Sequence, residues 1–184
     1  MNIELLPERE FLVIKGFGRI YDSNVDMSAV TDDSWDIIAR QFADGSVERL
    51  KKAAYSDVVY MLFCHTCERD DANKCYICSY DIACENTGGG HSEEFGTVRL
   101  NLCKYAAYDV DFKSGVALKD AHELADELFW GSGGWLKNSE YICAIDDPAN
   151  GIGNGYAQIE QYTPFEIGAE KFNMKIWYPL LPKK

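Results

Sequence analysis

The sequence is short of basic residues and has no long apolar run, and each lack excludes a class of function. Lysine and arginine number 18 against 30 aspartates and glutamates, for a net charge of −12. Nucleic-acid-binding domains need a basic patch, so direct binding to nucleic acid is not expected, whereas cationic partners are favoured. No stretch approaches the roughly 18 apolar residues of a membrane span.

The first residues, Met1–Glu4, also lack the basic and apolar regions of a secretory signal peptide. We therefore expect a cytoplasmic protein with no membrane contact, in which most of the seven cysteines are reduced thiols. Aromatic residues are abundant by contrast, at 13% of the chain with 11 tyrosines and 4 tryptophans. This abundance indicates a ring-lined surface within a chain that is long enough to bury a core.

The spacing of apolar residues predicts an α+β fold built from two similar halves. The first half contains a strand over 2–20, two helical stretches between 32 and 55 separated by Gly45, and strands over 58–65 and 75–84. After a glycine-rich junction at 86–90 the order repeats, with a strand over 97–110, a helix carrying Leu118, Ala121, Ala125 and Leu128, and strands over 140–145, 156–162 and 171–178.

We therefore expect one domain over 1–184 with half-repeats of about 1–88 and 93–184. The halves are two pseudo-symmetric βαββ units that pair side by side in a mainly antiparallel sheet. Helices would cover one face of this sheet, and the other face would form a concave ligand pocket.

The strand over 156–162 carries an acid among aromatic residues. Its side chains alternate between two faces, with Tyr156, Gln158, Glu160 and Tyr162 on one and Ala157 and Ile159 on the other, which suits packing on a helix. An unpaired buried charge is costly, and ring faces attract organic cations, so this strand is a candidate receptor for a cation. The alternative is that Glu160 lies at the rim of the sheet in water.

Further candidates for the walls of the pocket are aromatic residues elsewhere in the chain. In the last strand we expect Met174 and Ile176 to face the helices, which would place Trp177 in the concavity beside Glu160. The others are Trp35, Tyr60, Tyr80, Tyr105 and Tyr141. Core packing is an equal alternative for Trp35, and the strand tyrosines cannot be assigned to a face without the register.

Five short segments, spread over essentially the whole chain, match one known family in their order and spacing. They are Ile3–Arg9, Lys104–Tyr108, Trp135–Tyr141, Ile159–Pro164 and Met174–Leu180. Together they resemble the GyrI-like small-molecule-binding domain. The resemblance implies a pseudo-two-fold pair of βαββ units with a ligand pocket between them. In regulators of this family a buried glutamate on a late strand meets lipophilic cations amid tyrosines, and Glu160 occupies the matching position.

The same resemblance also has implications for the partners of this protein and for its chemistry. Family members include effector domains of multidrug-sensing transcription regulators as well as stand-alone proteins. Residues 1–184 contain no helix-turn-helix or basic module, so a DNA-binding partner would be a separate chain. Some stand-alone members hydrolyse reactive cyclopropane-bearing electrophiles, and there an equivalent acid would work beside aromatic residues.

Two CxxC pairs, Cys64 with Cys67 and Cys75 with Cys78, suggest a second type of site. Four thiolates suit tetrahedral zinc. Against zinc, Cys75 and Cys78 lie in a predicted strand, where residues three apart point to opposite faces, and strand cysteines are commonly small buried apolar residues. Buried or reactive thiols are therefore favoured over zinc, and no cofactor is expected. His122 is isolated in the sequence and is interpreted as a surface or structural residue.

The leading hypothesis is a cytoplasmic small-molecule-binding protein for lipophilic or aromatic cations. Glu160 would hold the ligand, with walls formed by Trp177, Tyr156, Tyr162, Tyr141, Tyr105, Tyr80, Tyr60 and Trp35. The alternative is a hydrolase of reactive small electrophiles, in which Glu160 activates water or steadies a developing cation. Both hypotheses predict the same pocket, so the sequence leaves open whether the ligand is turned over.

Overall fold

The computed structural model of the chain describes residues 1–22, 24–26, 34–89, 91–110, 118–143, 158–163 and 173–183, without the side chains of 34–37, 64–67 and 118–120. The strands are Asn2–Leu6 (β1), Arg9–Ile14 (β2), Phe17–Tyr21 (β3), Val59–Asp70 (β4), Cys75–Glu85 (β5), Gly96–Leu100 (β6), Cys103–Val110 (β7), Tyr141–Cys143 (β8), Gln158–Thr163 (β9) and Asn173–Pro182 (β10). The helices are Ser34–Ala43 (α1), Ser46–Ala54 (α2), Leu118–Trp130 (α3) and Trp135–Asn138 (α4).

The described strands form one curled sheet. Its main path runs β1-β7-β10-β9-β4-β5-β2-β6, with β3 added beside β5 and β8 beside β10. Every described pair of strands is antiparallel. The predicted α+β class and the mainly antiparallel sheet are thus confirmed.

Buried side chains form two clusters because successive residues of a strand point to opposite faces of the sheet. The helix-side cluster joins apolar residues of α1, α2 and α3 to strand residues, among them Leu50, Ala125, Phe129, Met61, Tyr162, Ile176 and Tyr178. The opposite cluster contains strand residues that alternate with these, among them Phe11, Tyr60, Leu62, Tyr105, Ile159 and Trp177. Both faces of the sheet therefore carry a cluster of buried apolar residues.

The predicted strand over 2–20 is wrong in its continuity, because three strands occupy that range. Pro7, which lacks a backbone N–H, lies in the gap between β1 and β2. The second gap contains Gly16, whose backbone passes so close to β5 that an added Cβ would lie 2.5 Å from the carbonyl oxygen of Tyr80. This close approach requires glycine and turns the chain from β2 into β3.

The last strand extends beyond its predicted end at Tyr178, through Pro179 to Pro182. On one edge β10 pairs with β9 as far as Trp177, and pairing with β8 begins only at Leu180. Pro179 therefore falls in the interval between these two partners, while on the other edge of β10 it lies opposite Tyr105 of β7.

Helix α3 turns a different side to the sheet from the one predicted. Ala121 and Ala125 are fully buried as expected, but Leu128 is 43% exposed and Phe129 is fully buried in its place. The buried residues Ala121, Ala125 and Phe129 thus follow one another at intervals of four. The helix is therefore rotated about its axis relative to the predicted orientation, in which Leu128 was buried. With 13 residues α3 is the longest described helix, and none of the described helices is both long and apolar enough to cross a membrane.

The helix-side cluster gives a direct test of the packing. Replacing Leu50, which is 0% exposed on α2, by alanine should lower the free energy of unfolding by about 3 kcal/mol, through lost apolar burial and the cavity left behind. Replacing Leu102, which is 59% exposed, should change it by less than about 0.5 kcal/mol. Chemical denaturation of both variants measures the difference, and equal effects would contradict the assigned core.

Candidate functional site

The candidate site centres on the carboxylate of Glu160, which is only 2% exposed. Its Oε2 accepts hydrogen bonds from the hydroxyls of Tyr80, at 3.0 Å, and Tyr162, at 2.7 Å. Its Oε1 lies 3.2 Å from Nδ1 of His122 on α3. The hypothesis that Glu160 lies in water at the rim of the sheet is therefore excluded.

Three elements converge to build this arrangement. Glu160 and Tyr162 are two residues apart on β9 and therefore share a face of the sheet. Met61 on β4 lies opposite Glu160 on one side and Ile82 of β5 on the other, so Tyr80, two residues before Ile82, points to the same face. Helix α3 packs on that face and brings in His122. Glu160 thus lies between the sheet and a helix, and the prediction that it faces away from the helices is wrong.

The titration of the surrounding groups follows from this burial. Burial lowers the pKa of His122, but the hydrogen bond to Glu160 and the negative charges of Glu160 and Asp126 outweigh it and raise that pKa above its ordinary value. Burial, followed by the charge of Glu160, raises the pKa values of Tyr80 and Tyr162 well above 10. The two phenols therefore stay protonated as donors, and the imidazole is biased towards its cationic form.

A second acid lies one helical turn beyond the histidine. Asp126 accepts a hydrogen bond of 2.6 Å from the hydroxyl of Tyr178 on β10. Burial raises the pKa of Asp126, against the lowering effects of the Tyr178 hydrogen bond and of His122. Neither His122 nor Asp126 was predicted from the sequence as a site residue. Their separation of four residues, on one face of a predicted helix, is the signal that could have identified them.

Four aromatic rings form a row beside the site. Tyr178 stacks on Phe129 with ring centroids 4.1 Å apart, Phe129 on Trp135 at 6.1 Å, and Trp135 on Tyr141 at 6.2 Å. The interplanar angles are 17° or less. Tyr141 thus lies at the far end of the row from Asp126, and its hydroxyl accepts a hydrogen bond from Lys104.

The prediction that Trp177 lies beside Glu160 is wrong. The register of β10 against β9 sets Ile176 opposite Glu160 and Trp177 opposite Ile159, so Trp177 points to the other face of the sheet. Met174 and Ile176 face the helices as predicted, so Trp177 does lie on the face away from them. The error concerns Glu160, because the face of β9 was assigned without the register that sets Glu160 opposite Ile176. Tyr60 and Tyr105 lie with Trp177 in the opposite cluster, whereas Tyr80, Tyr162 and Tyr141 belong to the helix-side cluster.

The rings of the opposite cluster surround a cation that belongs to the protein itself. The guanidinium carbon of Arg9 lies 5.2 Å from the ring centroid of Phe11, 5.7 Å from that of Tyr60 and 5.8 Å from that of Trp177. The Arg9 side chain is 9% exposed and its ion pair with Glu85 is long, at 3.9 Å. Cation–π attraction therefore contributes to holding this buried charge.

Several predicted residues lie partly or wholly outside the described set. These are Tyr156, the side chain of Trp35 on α1, and the side chains of Cys64 and Cys67 on β4. Cys75 is paired with Asp70 and Cys78 with Cys67 across β4 and β5, so Cys75 and Cys78 point to opposite faces, and both are buried. Among the described residues there is no group of three or more potential metal ligands. The zinc hypothesis stays untested because two of its four thiols lie outside the described set.

Comparison with known proteins gives a fold but no family assignment. No protein-family model and no curated protein matches the chain. A solved structure described as a bacterial transcription regulation protein from Staphylococcus aureus MU50 is similar, with a TM-score of 0.55, 15% identity, and coverage of 97% of this chain and 96% of that chain.

Two further solved structures are similar over nearly their whole length. SAV2435 bound to tetraphenylphosphonium has a TM-score of 0.53 at 14% identity, with 98% of this chain and 93% of that chain covered. The EcmrR C-terminal domain has a TM-score of 0.50 at 10% identity, with 99% and 97% covered. At such identities the likeness shows a shared fold.

The contact between His122 and Glu160 predicts a pH-dependent contribution to stability. A histidine whose pKa is raised by folding stabilises the protein fully below its unfolded pKa of about 6.5, and this contribution is lost as pH rises through the folded value. His122→Gln, which keeps a hydrogen-bond donor but loses the charge, should therefore cost about 1 kcal/mol near pH 5 and markedly less near pH 9. Urea denaturation at both pH values measures this difference.

The matched control is His91→Gln, because His91 is an exposed histidine. It should leave the free energy of unfolding within about 0.5 kcal/mol of the parent protein at both pH values. A cost for His122→Gln that does not change with pH would contradict the ion pair.

Proposed function

We propose that this protein binds small lipophilic or aromatic cations at Glu160, between the sheet and α3. The observation that supports this most strongly is the environment of the carboxylate, which is 2% exposed and held by two phenols and an imidazole. The ion pair with His122 is the one that Glu160 makes among the described residues. A buried carboxylate is costly when its ionic partner can lose its charge, so a permanent positive charge nearby stabilises it.

A second buried acid, Asp81, shows the contrast. Asp81 is 0% exposed, and its carboxylate accepts hydrogen bonds from Lys15 Nζ at 2.8 Å and from the backbone N–H of Gly16 at 3.2 Å. Lysine is cationic at neutral pH, so that acid is neutralised within the fold. Glu160 has no such permanent partner among the residues that the structure describes, and this difference favours Glu160 as the site.

The hydrogen bonds narrow the class of ligand. Tyr80 and Tyr162 both donate to Oε2, and His122 lies against Oε1. These contacts occupy three of the roughly four acceptor positions of a carboxylate, so a ligand that donates several hydrogen bonds would have to replace one of these partners. A quaternary onium ion or a delocalised aromatic cation needs none, and it gains charge attraction and contact with ring faces together.

The proposed walls differ from those expected from the sequence. We retain Tyr80 and Tyr162, which contact Glu160. Tyr141 lies on the same face of the sheet but at the far end of the aromatic row, and it stays a proposal from the sequence. Tyr156 and Trp35 stay as proposals from the sequence. Trp177, Tyr60 and Tyr105 are set aside because they lie on the other face of the sheet.

Shared architecture supports the proposal. SAV2435, which has the same fold, is bound to tetraphenylphosphonium, a lipophilic cation, in its solved structure.

We infer that the chain is a single GyrI-like domain of two pseudo-symmetric halves. The strand order supports this, since β2-β5-β4 in one half of the sheet corresponds to β7-β10-β9 in the other, while β6 flanks β2 and β1 flanks β7.

The proposed setting is the cytoplasm, in a role related to transcription regulation through a separate DNA-binding partner. Cys75, Cys84 and Cys103 are buried thiols outside any disulfide, as expected in a reducing compartment. Burial raises the pKa of the Cys84 thiol to about 12, so this cysteine is an inert core residue.

A hydrolytic function is the second candidate, and the contact between Glu160 and His122 is the observation that favours it. A carboxylate that holds one nitrogen of a histidine orients the ring for proton transfer, as a general acid when the ring is protonated and as a general base when it is neutral, and the His122 side chain is 27% exposed. Hydrolysis predicts conversion of a bound electrophile that disappears in Glu160→Gln, whereas binding predicts that the compound is recovered intact. Mass analysis of ligands after incubation separates the two.

The binding proposal predicts a charge-selective effect of Glu160→Gln. This variant should weaken tetraphenylphosphonium by about 10- to 100-fold, because the charge is lost while the shape is kept. The affinity of neutral triphenylphosphine oxide should change far less. Isothermal titration calorimetry gives both affinities, and circular dichroism checks that the variant is folded.

The matched control is Glu4→Gln, on the other face of the sheet. The Glu4 carboxylate accepts hydrogen bonds from Lys175 at 2.8 Å and from Trp177 Nε1 at 2.9 Å. Its replacement should leave the affinity for the phosphonium within about twofold, or about 0.4 kcal/mol. Loss of affinity in Glu4→Gln with none in Glu160→Gln would move the site to the Trp177 face and overturn the proposal.

A further inference from the structure

His122 lies against Glu160 as an ionic partner that can carry a positive charge. Its Nδ1 lies 3.2 Å from Oε1 of Glu160. The His122 side chain is 27% exposed while that of Glu160 is 3% exposed, so the imidazole contacts the buried carboxylate and is itself partly open to solvent. A cationic ligand that reaches Glu160 therefore meets a position where a positive charge can already be present.

We propose that His122 determines binding by proton exchange, so that a lipophilic cation arriving at Glu160 expels a proton from His122 into solvent. This inference rests on the proposed function, since it concerns the same site. The ligand supplies one positive charge and the imidazolium gives one up, which keeps the charge of the site constant. His122 is thus a specificity-determining residue. As the pH rises towards the pKa of His122, the affinity for permanent cations increases while the affinity for neutral compounds of the same shape does not.

The exchange is electrostatically required if both cations use one carboxylate. Two like charges within a few ångströms in a poorly solvated site repel strongly, and the titratable one of the pair is discharged. The proton leaves from Nε2, which allows Nδ1–H to continue donating to Oε1. The partly exposed ring gives this proton a route to water.

The other titratable groups around Glu160 limit which side chain can release the proton when a cation binds. Tyr80 from β5 and Tyr162 from β9 donate to Glu160, and Tyr178 from β10 donates to Asp126. All three phenols have raised pKa values and keep their protons at neutral pH. Asp126, on the same helix as His122, is the remaining group that could release a proton when a cation binds.

The proposal gives a defined pH dependence. Below the pKa of His122 in the ligand-free protein, the affinity for tetraphenylphosphonium should rise by up to about tenfold for each pH unit, because each binding event releases one proton. Above that pKa the affinity should level off. Triphenylphosphine oxide, which carries no charge, should bind with little dependence on pH.

The test is calorimetric titration of tetraphenylphosphonium into the intact protein near pH 6, in two buffers with different ionisation enthalpies. The difference in the observed heats gives the number of protons released for each ligand bound. We expect a substantial fraction of one proton for the parent protein, for His91→Gln and for Asp126→Asn, and nearly none for His122→Gln.

A second measurement covers the case in which His122→Gln does not fold. Proton NMR of the imidazole resonances of the parent protein, with His91→Gln aiding assignment, gives the pKa of His122 with and without the phosphonium. The proposal predicts a clear fall in this pKa on binding. An unchanged or higher value would overturn it.

The outcomes also separate this inference from the function on which it rests. Absence of phosphonium binding by the parent protein at every pH would remove both. Binding with equal heats in the two buffers would overturn proton exchange and leave the binding function intact. Proton release that persists in His122→Gln and disappears in Asp126→Asn would equally overturn the assignment to His122.

Discussion

The structure around the candidate site depends on solvating one buried carboxylate without water. Glu160 is held by hydroxyl donors from two strands and by an imidazole from the helix above them. An ionised carboxylate at this depth is tolerated only where such donors are fixed. The requirement couples β5, β9 and α3, because displacement of any one removes a partner. It also gives the site its chemistry, since the phenols keep their protons and leave His122 as the titratable partner.

The two faces of the sheet handle buried charge in different ways. On the face away from Glu160, Arg9 lies among the rings of Phe11, Tyr60 and Trp177, so these aromatic residues already contact a cation supplied by the chain. On the helix side, phenols and an imidazole surround an anion. One fold thus contains a filled aromatic site for a cation and, across the sheet, an acid whose cationic partner can lose its charge. The acid on the helix side, Glu160, is therefore the better candidate for a functional site, because the charge of its partner changes with pH and, in the proposal, with ligand binding.

Much of this could be predicted from sequence, and the errors share one physical origin. The α+β class, the mainly antiparallel sheet and the shared strand face of Glu160 and Tyr162 followed from apolar spacing and from alternation along one strand, whereas the burial of Glu160 was favoured by the family resemblance. The predicted single strands over 2–20 and 97–110 are three strands and two strands in the structure. The positions of strands and helices relative to one another could not be predicted in this way. The face of the sheet on which Glu160 lies depends on the register of β9 against β10, which sets Glu160 opposite Ile176. The contact of His122 with Glu160 depends on how α3 packs on the sheet, and α3 buries Phe129 in place of Leu128. Local periodicity does not contain either quantity, because both are set by packing between segments distant in sequence.

The location of a bound cation tests the central claim most directly. Tetraphenylarsonium carries an anomalously scattering arsenic atom, so its position in a crystal of the complex can be read from an anomalous difference map. The account predicts one arsenic peak on the helix side of the sheet, within about 6 Å of the Tyr80 or Tyr162 ring and adjacent to Glu160. A peak on the opposite face, among Arg9, Tyr60 and Trp177, would contradict it.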